Sequence, residues 1–443
     1  MDDRTFRRDF FRHLTAFPLE PDDPRYVRVY DDARIAADDP VAEAEGTIEW
    51  SVDASVQLFS GFRGTGKSTE LRRLRASLRE AGYLVLLFDA EDYLNLSIAV
   101  DVPDFLLAVA GALGEAVVSE GYLTDDPATI SYWDRFREFV GGIKLEELSA
   151  ELAAGPAKVA VKANLRSDPG FTRTLQQRMA GHLGSFVADV RAYVHDIVQQ
   201  LRAARPDARG IVVMVDSIEH IRGISANAEE VQESVESLFA VHASKLHLPG
   251  LHVIYTVPPW LTVLYPGLSS LYEPGGVQVL PSLKVCHRDN GAPFEPGVEI
   301  LSGVVAARAK AAQGDWTRLL SEDQLRRICL QSGGHLRDLL AIIGRVLLKA
   351  RGALPTSDDV VERALADRRS EFLPIANDDA LWLAQIAARH DVELPGVVRL
   401  PALARFLDTH LVLCYRNGDK WYDLHPLIRD AVLAQVARLA QQE

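Results

Sequence analysis

Along the chain, apolar positions gather in two rhythms. Five short runs, at 56–60, 84–89, 211–216, 251–257 and 277–280, are continuously or almost continuously apolar, as strands buried on both faces of a parallel sheet are. Between them, apolar residues recur every three to four positions. Strand and helix therefore alternate over 50–282, which predicts a three-layer α/β domain. A long polar and helical insert, about 122–208, separates the second run from the third. Within it the stripe Leu175, Met179, Leu183, Phe186, Val190, Tyr193, Ile197 and Leu201 predicts one amphipathic helix over 172–204. Another helix, expected at 105–118, is apolar but too short to cross a bilayer, and it carries Glu115.

Beyond 282 the strand rhythm fades. Helical periodicity marks 298–314, 322–332, 336–351 and 357–370, a small helical domain. The last stretch has helices at 378–390 and 401–408, then HLVLCYRNGDKWYDLHP and an amphipathic helix from Pro426. Asn417-Gly418 between two β-prone runs signals a hairpin, and helices followed by a hairpin suggest a winged helix. The expected organisation is an N-terminal segment (1–50), an α/β core (51–285), a helical lid (286–370) and a winged-helix-like domain (371–443). No internal repeat, coiled coil or low-complexity tract is evident.

Composition narrows the classes. A chain of 443 residues, 48% of them hydrophobic, can bury a sizeable core. Its net charge of −14 gives no global attraction to nucleic acid or acidic membranes. Cys286, Cys329 and Cys414 lie far apart, unlike zinc sites or disulfide scaffolds, and fit a reducing cytoplasm. The N-terminus MDDRTFRRDFFRHL lacks the apolar core of a signal peptide. The expectation is a cytoplasmic chain with no membrane partner.

The chemistry concentrates in GFRGTGKST, between the first strand and the next helix. Gly61, Phe62, Arg63, Gly64, Thr65, Gly66, Lys67 and Ser68 match the phosphate loop G-x-x-x-x-G-K-[ST]. Glycines let the backbone wrap closely enough for successive N–H groups to face phosphate oxygens, and the helix from Lys67 aims its positive end at the same charge. Lys67 would reach the β- and γ-phosphates, Ser68 would hold Mg²⁺, and Thr69 would lie near the α-phosphate. ATP and Mg²⁺ are the expected cofactors.

Such a loop calls for an acidic strand end that anchors Mg²⁺ through water. GIVVMVDSIEHI supplies Asp216. Hydrolysis further needs a group that orients or deprotonates water. Position 217 is Ser, and the nearest carboxylate, Glu219, can face the γ-phosphate only if the strand end turns. Glu219 is either that group or a salt-bridged helix start. Thr256, near the end of LHVIYTV, is placed to reach between the γ-phosphate and Asp216, whereas Tyr255 and His252 look like core or edge residues. In SGGHLRDLL a glycine pair precedes a helix presenting Arg337, which can fold onto the phosphates; His335 and Asp338 look like capping or surface groups. Asp89, Glu91 and Asp92 form an acidic cluster, either a solvated loop or an interaction surface.

Together these pieces resemble the AAA+ P-loop ATPases, in the branch shared by origin-recognition initiators and STAND signalling ATPases. Walker A (61–69), Walker B (212–216), sensor 1 (Thr256) and sensor 2 (Gly333 to Arg337) occur in the family's order. The resemblance implies strand order 5-1-4-3-2, an ATP site between core and lid, ATPase activity and nucleotide-dependent self-association. DPRYVRVY precedes the first strand where that family contacts adenine, so Tyr26 and Val27 either contact adenine or simply pack. Two departures stand out. Ser217 replaces the family's Walker B glutamate, which implies slow hydrolysis, and no arginine finger can be assigned, Arg288 and Arg308 being candidates. Leu336-Arg337 follows the initiator style where the STAND branch usually has a proline.

The expected function is an ATP-dependent switch that binds ATP or ADP and couples nucleotide state to a homo-oligomer or protein partner, by analogy in a bacterial signalling or antiviral defence system. The alternative is an initiator- or transposition-like ATPase that binds DNA through the winged helix. Against the latter, 367–443 holds nine Arg or Lys and eleven Asp or Glu, and 401–408 offers only Arg405. A small-molecule kinase fits the lid and C-terminal elements less well.

Overall fold

The structure, a computed structural model, describes residues 2–15, 17–35, 39–123, 166–167, 169–179, 181–223, 227–351, 354–394 and 396–442. The chain divides into two compact units. One comprises Val41–Ser60 and Arg73–Val279; the other comprises Met1–Pro40, Gly61–Arg72 and Leu280–Glu443.

The first unit is built on a sheet. Strands β1 (Ser55–Gly61), β2 (Leu84–Asp89), β3 (Ile211–Asp216), β4 (His252–Val257) and β5 (Val277–Leu280) lie in the order β2-β3-β4-β1-β5, the order expected. β4 runs parallel to both its neighbours, with Leu58 opposite Tyr255 and Met214 opposite Ile254. β1, β3 and β4 are buried along their whole length, so they read as mainly apolar runs rather than alternating ones, with a few buried polar residues such as Gln57 and Thr256. Tyr255 and His252 are core residues, as expected.

The apolar helix runs over Val102–Ser119, longer than the sequence suggested because Asp104 accepts the Asp101 N–H and fixes an earlier start. Its 18 residues and mean hydropathy of 1.6 would suffice for a membrane span, yet 83% of that window is buried inside the fold. The expected single helix over 172–204 is two, Pro169–Met179 and Leu183–Ala204. Gly181 sits at the break, where His182 N–H turns back to the Met179 carbonyl. The apolar stripe survives, since Leu175, Met179, Phe186, Val190, Tyr193, Ile197 and Leu201 are all buried. Much of the predicted insert, 124–165, lies outside the described residues.

In the second unit, helices Glu295–Ala311, Glu322–Gln331, Leu336–Lys349 and Asp358–Ser370 surround one core that includes Leu301, Val305, Ile328, Leu339, Ile343 and Val361. Helix Asp3–His13 belongs to that core through Phe6 and Phe10, both fully buried. A Cβ on Gly314 would fall 2.3 Å from the Phe6 ring, so only glycine lets the ring in. The C-terminal elements follow as predicted: helices Asn377–Arg389 and Leu400–Asp408, the antiparallel pair β6 (Val412–Asn417) and β7 (Asp419–Leu424), and helix Pro426–Leu439. Gly418 makes the hairpin turn at φ +76°.

Candidate functional site

The glycine-rich loop lies in the second unit, together with Tyr26, Val27 and Arg337. Gly64 and Gly66 take φ +93° and +103°, conformations that L side chains rarely adopt. Thr65 closes the turn by donating its hydroxyl to the Phe62 carbonyl at 2.9 Å. The helix Lys67–Glu80 starts immediately, its first intrahelical bond running from Glu70 N–H to the Gly66 carbonyl. Its first turn therefore holds N–H groups that have no acceptor within the helix. Lys67 is buried, and its ammonium donates to the carbonyls of Gly61 (2.8 Å) and Phe62 (3.0 Å). Ser68 is half-buried in the same turn.

Against this loop stands the first turn of helix Leu336–Lys349. Arg337 N–H donates to the Gly64 carbonyl at 3.2 Å. The Arg337 side chain crosses the loop so closely that a Cβ on Gly64 would lie 2.8 Å from its Cβ and from its Nε. Burial lowers the Arg337 pKa, and the positive charge of Arg63 lowers it further. The Nε of Arg63 is buried with no hydrogen-bond partner among the described residues. Lys67, Arg63 and Arg337 thus gather positive charge at the loop. Such a cradle suits a polyphosphate.

The N-terminal segment is tied to the same helix. Thr69 Oγ1 accepts the Leu19 N–H at 3.1 Å, and Arg72 donates to the Pro18 carbonyl at 3.1 Å. The Tyr26 hydroxyl donates to Glu70 at 3.1 Å, and Val27 packs on the helical core of this unit.

Asp216, Glu219 and Thr256 belong to the sheet unit. Asp216 ends β3 and accepts the Ser217 N–H at 2.8 Å. Asp89, ending β2, is its register partner, and burial raises the Asp89 pKa. Ser217 takes φ +67°, so the strand end does turn, into the short helical turn Ile218–His220 that carries Glu219. Thr256, fully buried, holds this turn: its hydroxyl accepts the Ile218 N–H at 2.9 Å and donates to the Val215 carbonyl at 3.3 Å. Glu91 of the acidic cluster pairs with His220.

Two expectations need correcting. Arg308 cannot serve as an arginine finger, because it is buried and donates to the Arg25 carbonyl at 2.6 Å. Desolvation pulls its pKa down to about 10. Arg288 stays exposed in a loop. His335 and Asp338 are not surface groups either: both are fully buried. Asp338 lies 3.0 Å from His335 Nδ1, 3.1 Å from His425 and 3.6 Å from His410, and it also pairs with Arg368. His410 and His425 stand 72 to 90 residues further along, and only the spacing of His335 and Asp338 on one helix face hinted at a cluster.

No protein-family model matches the chain, and no curated protein matches it. Among solved structures, it is similar to the ORC2 protein of Aeropyrum pernix in its ADP form (13% identity, 97% of each chain covered, TM-score 0.44). It is likewise similar to a Walker-type ATPase of Pyrococcus abyssi (15% identity, 89% of this chain and 94% of the other, TM-score 0.42). Cdc6p from Pyrobaculum aerophilum matches at 13% identity over 100% of this chain and 98% of the other, with TM-score 0.40.

Proposed function

We propose that this chain is an ATP-binding, slowly hydrolysing switch of the AAA+ kind. In this reading nucleotide state is coupled to self-association or a protein partner through the lid and a winged-helix-like C-terminal domain. The observation that carries the reading is the contact of Arg337 with Gly64, which sets a cationic side chain over a loop built to receive phosphates. Gly61 to Thr69 would cradle the phosphates, Lys67 and Arg337 would neutralise them, and Tyr26 and Val27 are the adenine candidates. By the roles their motifs assign, Ser68 and Asp216 would hold Mg²⁺, which supplies charge neutralisation when bound. Glu219, on a turn that Thr256 fixes, would orient water.

The slow rate follows from Ser217 at the place of the usual glutamate. Use of the C-terminal domain on DNA is disfavoured by Arg405, whose guanidinium is held by Asp379 at 2.6 Å. A role in bacterial signalling or defence belongs to the same proposal. ATP binding and turnover of the wild type, Lys67→Ala, Glu219→Gln and Arg337→Ala, with and without duplex DNA, test it. Binding should vanish in Lys67→Ala, and turnover should fall in Glu219→Gln and Arg337→Ala. A wild type that binds no ATP overturns the proposal, and strong stimulation by DNA reverses the choice of partner.

A further inference from the structure

The cluster around Asp338 joins four segments of the second unit. Asp338 sits in the first turn of helix Leu336–Lys349, next to Arg337. One carboxylate oxygen takes Arg368, from the last lid helix. The other faces His335 Nδ1, His425 Nε2 and His410 Nδ1. His335 reaches the phosphate loop with its second nitrogen, which donates to the Arg63 carbonyl at 2.9 Å. His410 and His425 flank the β6–β7 hairpin. One buried carboxylate therefore connects the loop at Arg63 to the C-terminal elements.

Proton positions follow from the partners. The Arg63 carbonyl accepts only, so His335 Nε2 carries a hydrogen. His425 Nδ1 accepts the Leu427 N–H at 3.2 Å, so its hydrogen is on Nε2, aimed at Asp338. Three buried histidine and aspartate groups at such separations also resemble a metal-ligand set. Two features oppose an ion there. The Arg368 guanidinium already occupies one oxygen, and the His425 N–H points at the other, so a divalent cation would meet one like-signed charge and an oxygen already taken by a donor. Burial alone would raise the Asp338 pKa, but the charge and hydrogen bond of His335, with hydrogen bonds from His410 and His425, hold it far below the usual carboxylate range.

The glycine pair before Arg337 strengthens the connection. Tyr415 of β6 donates its hydroxyl to the Gly333 carbonyl at 2.8 Å, and a Cβ on Gly333 would lie 2.5 Å from Leu413 of β6. The hairpin therefore packs directly on the segment that aims Arg337.

We propose that Asp338 is a positioning residue for the nucleotide site, which through His335 sets the loop at Arg63 and the adjacent Arg337, and through His425 and His410 makes that setting depend on a docked C-terminal hairpin. The proposal rests on the nucleotide-switch reading above. By linkage, the coupling must run both ways: ATP should tighten the hairpin, and a loosened hairpin should weaken ATP binding.

The test uses the full chain. Calorimetry would measure ATP affinity for the wild type, Asp338→Asn, His335→Leu, His335→Gln and His425→Leu, and hydrogen exchange would follow 412–424 with and without ATP. His335→Leu removes the donor to Arg63 but leaves Arg368 and His425 on Asp338, so it carries the test even if Asp338→Asn fails to fold. The expected result is about a tenfold loss of affinity, near 1.4 kcal/mol, in His335→Leu and His425→Leu. His335→Gln, whose amide can donate to the same carbonyl, should recover most of it. ATP should slow exchange across 412–424 in the wild type but not in His335→Leu. A folded His335→Leu with wild-type affinity, or exchange indifferent to ATP, overturns the coupling and leaves the nucleotide reading standing. A wild type that binds no ATP overturns both, and stoichiometric metal in the purified chain overturns the hydrogen-bonded assignment.

Discussion

Replacing Gly64 by alanine probes the proposed site at its tightest point. At φ +93° an added Cβ costs about 1–2 kcal/mol in backbone strain. The same Cβ would lie 2.8 Å from Arg337 Nε and from Arg337 Cβ. The guanidinium end can swing aside, but the Arg337 Cβ is fixed on a helix. The loop must therefore shift by several tenths of an ångström, enough to spoil hydrogen bonds aimed at phosphate. Gly418 is the control, with φ +76° and nothing within 4 Å, so alanine there meets the strain alone. Both variants should lose stability by about 1 kcal/mol or somewhat more in denaturant titrations. Only Gly64→Ala should bind ATP more weakly, by about tenfold or more, equivalent to about 1.4 kcal/mol, in isothermal titration calorimetry. If Gly64→Ala matches Gly418→Ala in stability and the wild type in ATP affinity, the packing of Arg337 on the loop does not govern binding.

Three further outcomes follow. Burial, helped by the charge of His335, depresses the His410 pKa to about 4. The unfolded chain takes up that proton near the ordinary value of about 6.5, so stability present above it is lost as pH falls from there to about 4, by about 3 kcal/mol in all. Thermal melts between pH 7 and 5 should show this slope, and His410→Asn, which tolerates the residue's φ of +63°, should flatten it. Asp104 behaves oppositely: burial raises its pKa to about 7, so its stabilising protonated form is lost as pH rises through that value. Asp104→Asn should therefore gain on the wild type by roughly 2–3 kcal/mol between pH 5 and 8, measured by urea unfolding. Thr256→Val leaves the Ile218 N–H without its acceptor, at a cost of about 1–3 kcal/mol. It should slow ATP turnover while leaving ATP affinity within about twofold, and unchanged turnover would show that the turn bearing Glu219 needs no such support.

Much of the fold was legible because it rests on local rules. Strands buried on both faces are mainly apolar, and Gly418 can turn a hairpin where few residues could. The turn at Gly61 to Ser68 was legible as a strand-to-helix loop because glycines at that spacing, Gly64 and Gly66, can take positive φ. Pairing between distant positions left no such trace. His335 and Asp338 looked like ordinary polar residues at a helix start, since the groups that make them a buried cluster, His410 and His425, come from another part of the chain. Arg308 looked available for the same reason; nothing near it in sequence announces the Arg25 carbonyl that it serves. The interruption at Gly181 was hidden by an apolar stripe that keeps its phase across the break.

The helical core that holds Phe6 and Phe10 bears on how the protein is made. Phe6 and Phe10 leave the ribosome well before the residues that enclose them, such as Leu301 and Val305, which come about 290 positions later. At translation rates of about 5–20 residues per second, these two rings wait roughly 15–60 s without their native neighbours. An amphipathic helix left bare for that long is a natural client for a chaperone, and synthesis that stalls before Glu295 should leave helix Asp3–His13 exposed to proteases.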